Sequence, residues 1–199
     1  MSAKHALPRR AGLSLAALAV GGATLFGATA LSPGTADAAA PVSHAATSTA
    51  ADVRPAAAIT RAQVLERAAT WLTANGGSQV PYSQSSVWSD GYRQDCSGYA
   101  SMALNIWKPG HNTVTLAEQR NLTTPIAMSE LEPGDLVIDA TGSNTTRHVV
   151  IFEKWTDSSK SSYVAYEQRG GHGTDHRTLT YGLEAGSEFA AYRPVNITD

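Results

Sequence analysis

Apolar residues fall along this chain in three regimes. Ala11 to Leu31 is an uncharged run rich in Ala, Gly and Thr, whereas residues 39 to 58 hold almost no large apolar side chain. From Ile59 onward the large apolar residues recur with definite periods. Val64, Leu65, Ala68, Trp71 and Leu72 repeat at helical spacing behind Thr60-Arg61-Ala62-Gln63, the pattern of a capping box, and Asn75-Gly76 supplies a left-handed stop. This predicts an amphipathic first helix. The stretch 76–94 is polar, carries Pro81, and reads as a long loop. A second helix is expected from the N-cap Asp95 to just before Pro109-Gly110. Its polar stripe of Ser97, Ser101, Asn105 and Lys108 is narrow, so most of its surface should be buried. After Pro133-Gly134 the period shortens to that of strands over 135–139, 148–155 and 162–168, with 178–181 and 189–193 as further candidates. Helices first and an antiparallel meander afterwards imply an α+β fold, with N-terminal helices packed on an antiparallel β-sheet.

The N-terminal regime changes the picture of where the protein works. Lys4, Arg9 and Arg10 precede the uncharged run, and Ala36-Asp37-Ala38 offers a small-x-small cleavage site. Residues 1–38 are therefore expected to be a signal peptide, with no stable membrane insertion once it is removed. Either a twin-arginine or an ordinary secretory route fits. Residues 39–58 read as a flexible Ala/Thr/Ser/Pro linker, and 59–199 as one domain. With 15 Lys and Arg against 17 Asp and Glu, the formal net charge of -2 gives no reason to expect nucleic acid as a partner.

The single cysteine supplies the candidate chemistry. Exported proteins use cysteine mostly in pairs, so a lone thiol draws attention as a reactive group. Placed first in the second helix, Cys96 would meet unpaired backbone N–H groups and the positive end of the helix dipole, which stabilise a thiolate and could bind an oxyanion. The alternative is a small buried hydrophobe. A thiolate needs a base. His5 and His44 lie outside the domain, His111 follows Pro109-Gly110, and His172 and His176 sit in or beside a Gly-rich loop that argues against a helical metal site. His148 opens the apolar strand, where a rigid backbone can hold an imidazole, although a strand histidine bonded to a backbone carbonyl reads the same way.

Three blocks in order, Asp95-Cys96-Ser97-Gly98-Tyr99, Leu131-Glu132-Pro133-Gly134-Asp135-Leu136-Val137 and Arg147-His148-Val149-Val150-Ile151-Phe152, resemble the NlpC-type family of cell-wall cysteine peptidases. The resemblance implies a papain-like fold and no cofactor or metal. It also implies amide hydrolysis in peptidoglycan stem peptides, with Cys96 as nucleophile and His148 as base. A third polar residue should lie on the strand after the histidine, with Glu167 the first choice and Gln168 the second. Tyr82 would line the site, and Asp95 with Ser97 would help bind a substrate amine. Two departures stand out. Ser83-Gln84-Ser85-Ser86 replaces a glycine pair, and Val150, on the strand face of His148, replaces a glycine and is expected to narrow the groove. They leave room for an amidase or acyl transferase acting outside the wall, and a non-catalytic surface domain is the reading from another class.

Overall fold

The computed structural model describes residues 56–199. The expected signal peptide and nearly all of the linker lie outside them. Ile59, the first residue assigned to the domain, is buried and bridges to Ile197.

Three helices precede or flank a six-stranded sheet: α1 Arg61–Thr70, α2 Cys96–Ala103 and α3 Thr113–Glu118, then β1 Thr123–Ile126, a short 3-10 turn Met128–Glu130, β2 Leu136–Asp139, β3 His148–Trp155, β4 Tyr163–Arg169, β5 Gly173–Leu179 and β6 Ala190–Pro194. The sheet order is β1-β6-β2-β3-β4-β5, and every pairing is antiparallel. The fold is α+β, as the periodicities require. The meander covers β2 to β5 only, because β6 returns to pair with β2 and carries β1 on its outer edge.

The sheet is buried on both sides, which is why its central strands read as continuous apolar runs rather than alternating ones. Leu136, Ile138, Val149, Ile151 and Tyr166 pack with Val64, Ala68 and Trp71 of the α1 region and Tyr99, Ala100, Met102 and Ala103 of α2. Val137, Val150, Phe152, Tyr163, Ala165, Leu179 and Ala191 form a second core. Every residue of α2 is buried. The Tyr99 hydroxyl donates to the Ala68 carbonyl at 2.8 Å, and the Arg67 guanidinium donates to the Met102 carbonyl, so the two helices are locked by hydrogen bonds as well as by packing.

The helix ends differ from expectation. The Thr60/Gln63 capping box forms, but regular helix stops at Thr70 and the chain reaches Gly76, with φ +60°, through tighter turns. The second helix ends at Ala103, well short of Pro109. Asn105 takes a left-handed φ of 53°, the Ile106 N–H bonds the Ser101 carbonyl, and the Asn105 N–H bonds the Met102 carbonyl, which together make a Schellman stop. Asparagine tolerates that conformation, so it ended a helix that its apolar pattern would have continued. The anticipated polar stripe is therefore not a solvent face. Ser101 donates to the Ser97 carbonyl and accepts from the His111 N–H, and Lys108 lies beyond the helix.

The second motif block is structural. The fully buried Asp135 carboxylate receives the Glu132 N–H at 2.9 Å, Arg61 at 3.1 Å and Arg193 at 2.9 Å, tying α1 and β6 to the start of β2. No helix of the described residues is long and apolar enough to cross a membrane.

Candidate active site

Asp95 builds the site locally. Its extended backbone (φ -96°, ψ 173°) starts α2, and its Oδ1 accepts the Gly98 N–H at 2.6 Å. Tyr99 N–H bonds the Asp95 carbonyl, so the Cys96 and Ser97 amides are left without intrahelical partners at the positive end of the helix. Gly98 is required by a close approach: a Cβ there would fall 2.2 Å from the Arg93 carbonyl oxygen. Cys96 is 6% exposed and carries a free thiol. Its sulfur lies 4.0 Å from the Thr113 hydroxyl at the start of α3.

His148 opens β3, and its Nε2 lies 2.8 Å from Glu167 Oε2. That engagement leaves Nδ1 as the ring nitrogen for Cys96. Burial alone would lower the proton affinity of the imidazole. Hydrogen bonding and charge from Cys96 and Glu167 outweigh it and raise the His148 pKa to about 9. The ring is also held edge-on by Tyr181 and Phe189, at centroid distances of 6.1 Å and 6.4 Å.

Glu167 is 0% exposed and both of its oxygens are engaged. Oε2 faces His148, and Oε1 accepts from the Arg177 Nε, with Arg169 Nε at 3.7 Å. Burial would raise the carboxyl pKa, but the hydrogen bonds and charges of His148 and Arg177 bring it below its ordinary value. Arg177 was not singled out from the sequence. It lies on β5, and only the strand register, Ala165 opposite Arg177 and Glu167 opposite Asp175, brings it to the carboxylate.

Gln168 points elsewhere. Its Nε2 donates to the carbonyls of Val80, Pro81 and Gln94, and its Oε1 accepts from Thr174, so the amide braces the 76–94 loop and is committed before it could orient an imidazole. Successive strand residues face opposite sides, and of the two candidates Glu167 is the one on the His148 side.

Tyr82 lies at the junction of two cavities. A cleft of about 650 Å³ is bordered by His148, Glu167, Arg169, Tyr181 and Phe189, and a smaller one of about 100 Å³ by Asp95, Cys96, Ser97 and Thr113. Tyr82, Gln84 and Arg147 line both. Burial raises the Tyr82 pKa, against the hydrogen bond from Gln84 and together with the charges of Cys96 and Asp95. Gln84 also donates to the Asn144 carbonyl at 2.7 Å, joining the loop before α2 to the loop before β3.

Asp95 and Ser97 border the small cavity, and the Arg93 guanidinium engages both. Arg93 donates to Asp95 Oδ2 at 2.9 Å and to Ser97 Oγ at 3.2 Å, and also to the carbonyls of Gly110 and His111. An internal guanidinium thus sits on the groups assigned to a substrate ammonium. One expectation needs correction: Val150 does not narrow the groove, because it is 0% exposed inside the second core, on the strand face it shares with His148 and opposite Glu167 in the register.

The remaining histidines have separate surroundings. His111 is part-buried beside Trp107, with its N–H on Ser101. His176 stacks on Tyr166 and lies 3.0 Å from Glu153, whereas His172 faces Asp175 at 3.6 Å. Among the described residues no three His, Cys, Asp or Glu side chains gather as a metal site.

No family model and no curated protein matches this chain. Among solved structures it is similar to a protein described as similar to lipoprotein, of the NLP/P60 family, from Staphylococcus aureus subsp. aureus Mu50. The identity is 19% and the TM-score 0.44, over 74% of this chain and 45% of that one. The chain thus spans less than half the length of that structure.

Proposed function

We propose that this protein is an exported cysteine hydrolase that cleaves amide bonds of peptidoglycan stem peptides as an endopeptidase, working outside the cell or at its wall. The observation that carries the reading is the ordered set Cys96, His148 and Glu167. A thiol at a helix N-terminus helps to hold the proton on an imidazole whose far nitrogen meets a fully buried carboxylate.

Because His148 holds its proton up to about pH 9, the imidazole is charged at neutral pH and supplies the positive partner a thiolate requires. The Cys96 sulfur attacks the amide carbonyl carbon, and the resulting oxyanion meets the Cys96 backbone N–H. The C–N bond breaks as His148 delivers its proton to the leaving amine. His148, now neutral, takes a proton from water as that water attacks the thioester. The carboxylic acid product leaves, and thiolate and imidazolium are regenerated. Glu167 does not exchange protons in this cycle. It keeps the tautomer and orientation of His148 and balances its charge.

The purified protein should release new free amines from peptidoglycan or from stem-peptide fragments, and Cys96→Ala should not. Absence of amine release from a protein whose Cys96 is still alkylated by iodoacetamide would overturn the substrate and leave the nucleophile standing.

A further inference from the structure

The nucleophile and its base border different spaces. Cys96 lines the small cavity of about 100 Å³, and His148 lines the cleft of about 650 Å³. At about 30 Å³ for each water, the small cavity has room for roughly three water molecules, whereas ligand pockets begin at about 300 Å³. A peptide bond flanked by its side chains does not fit there, although it must touch both groups to be cleaved. Tyr82, Gln84 and Arg147 line both spaces and stand between them. Gln84 holds this boundary with a hydrogen bond that runs from one loop to another. Its Nε2 donates to the Asn144 carbonyl at 2.7 Å and to the Tyr82 hydroxyl at 3.2 Å. Each end is braced within its own loop. The Ser83 N–H bonds the Gln94 carbonyl and the Ser83 hydroxyl accepts the Ser86 N–H, while the Ser143 carbonyl accepts the N–H groups of Thr146 and Arg147. Among the described residues, the bond from Gln84 to Asn144 is the only hydrogen bond that joins residues 76–94 to residues 140–147.

Gln84, Asn112 and Asn144 are the exposed residues of the small cavity's lining, and Cys96, Ser97 and Thr113 are its buried ones. The bond from Gln84 to Asn144 therefore crosses the outer rim and not the floor. A solvent-exposed amide exchanges its partner for water at little net cost, so a bond of this kind opens and closes readily. We propose that the Gln84–Asn144 hydrogen bond is a strap closed over Cys96, and that the nucleophile meets substrate only when the strap opens and the two cavities join. The inference rests on the reading of Cys96 as the nucleophile of an amide hydrolase, and it adds a gate to that site. The glycine pair that Ser83-Gln84-Ser85-Ser86 replaces would offer no side chain to form it.

Two measurements on wild type, Gln84→Met and Gln84→Lys test the strap, with circular dichroism to confirm that each variant is folded. Methionine keeps the length of glutamine and loses the donor, and lysine keeps a donor that reaches as far. The first measurement is the rate of Cys96 alkylation by neutral N-cyclohexylmaleimide relative to its oxidation by hydrogen peroxide, a neutral probe close to water in size that the closed cavity admits. The ratio cancels changes in the thiol itself and needs no substrate. It should rise about three- to tenfold in Gln84→Met, the range expected for one hydrogen bond, and stay within about twofold of wild type in Gln84→Lys. The second is kcat/KM for stem-peptide fragments, which should rise by a similar factor in Gln84→Met because a larger share of the protein is open. Equal ratios in wild type and Gln84→Met overturn the strap, and cleavage of the peptides by both proteins then leaves the hydrolase reading standing. A rise of the same size in Gln84→Lys overturns the hydrogen bond as the closing contact. A raised ratio in Gln84→Met, with no peptide cleaved by any of the three proteins, upholds the strap and overturns the peptide-hydrolase reading.

Discussion

His148 and Glu167 are joined by a 2.8 Å hydrogen bond although they are not opposite each other in the sheet. The residue facing Glu167 across the strands is Val150, two positions into β3. The offset sets the imidazole at the end of the strand, with one nitrogen turned back to the carboxylate and the other left for Cys96. Val150 and Ala165, buried in the second core, flank the pair on the same strand face, and the pair borders the cleft.

This arrangement fixes a pH profile. His148 is raised to about 9, so the imidazolium that protonates the leaving amine is lost as pH rises through that value. The alkaline limb of kcat/KM should therefore lie near pH 9. Glu167→Gln removes the charge and one of the supports of the imidazolium, and the limb should move toward the ordinary histidine value of 6.5. The rate should fall roughly a hundredfold, in line with the usual contribution of acid–base assistance. A limb that stays in place in Glu167→Gln would show that the carboxylate does not set the charge of His148.

Arg177 acts on the same imidazole at one remove. It donates to the Glu167 oxygen that His148 does not use, and its Nη2 reaches the Tyr181 hydroxyl at 3.1 Å. Arg177→Gln should leave the substrate KM nearly unchanged and lower kcat by roughly tenfold, because a less firmly held carboxylate orients the ring less well. Freed from Arg177, the Glu167 charge would act more strongly on His148, so the alkaline limb should move upward, opposite to its shift in Glu167→Gln. That opposition separates positioning from general destabilisation.

Gln168→Leu gives the complementary outcome. The buried amide satisfies three carbonyls and one hydroxyl around the Tyr82 loop, and a leucine would strand them. Unfolding in denaturant should show a loss of about 2–3 kcal/mol, with the pH profile of the remaining activity unchanged. A moved profile with unchanged stability would return Gln168 to the catalytic group.

Local signals and their limits explain how far the sequence could be read. The capping residues Thr60 and Asp95, the turn at Pro133-Gly134 and the apolar run from His148 carry their structure in short range, and each appears where expected. The helix α3 and the strand β1 do not. Thr113-Val114-Thr115 is β-branched yet helical behind the Asn112 cap, and Pro125 lies in a strand that pairs on one side only. Arg93 and Arg177 were invisible for another reason. The first reaches Asp95 and Ser97 out of a folded-back loop, and the second reaches Glu167 through strand register. Neither relation has a sequence period. Val150 shares a face with His148 as alternation requires, but alternation cannot tell that this face is covered by a second core.

Arg93→Ala tests the internal occupation of the amine-binding groups. The guanidinium ties Asp95 and Ser97 to the carbonyls of Gly110 and His111, so its removal should cost about 2 kcal/mol in denaturant unfolding. It should also leave the Asp95 carboxylate uncompensated beside Cys96. The variant should then favour stem peptides with a free N-terminal amine over N-acetylated ones, and wild type should not distinguish them. Equal discrimination in both proteins would mean that Arg93 and a substrate amine do not compete for this place.

The coupled charges also set a stability window. His148 has a raised pKa, so its contribution to stability is complete below its unfolded value of 6.5 and disappears as pH rises through about 9. Glu167 has a lowered pKa, so its contribution is complete above its unfolded value of 4.5 and disappears as pH falls through the depressed folded value. Both are present together between about pH 4.5 and 6.5. Wild-type Tm should be highest in that window and decline on both sides. In Glu167→Gln the acid-side decline belonging to this carboxylate should vanish, and the alkaline decline should begin at lower pH and be shallower, because His148 retains only the support of Cys96. Thermal unfolding of the two proteins from pH 4 to 10 in one buffer series measures the difference, and parallel curves would show that the pair is not coupled to folding.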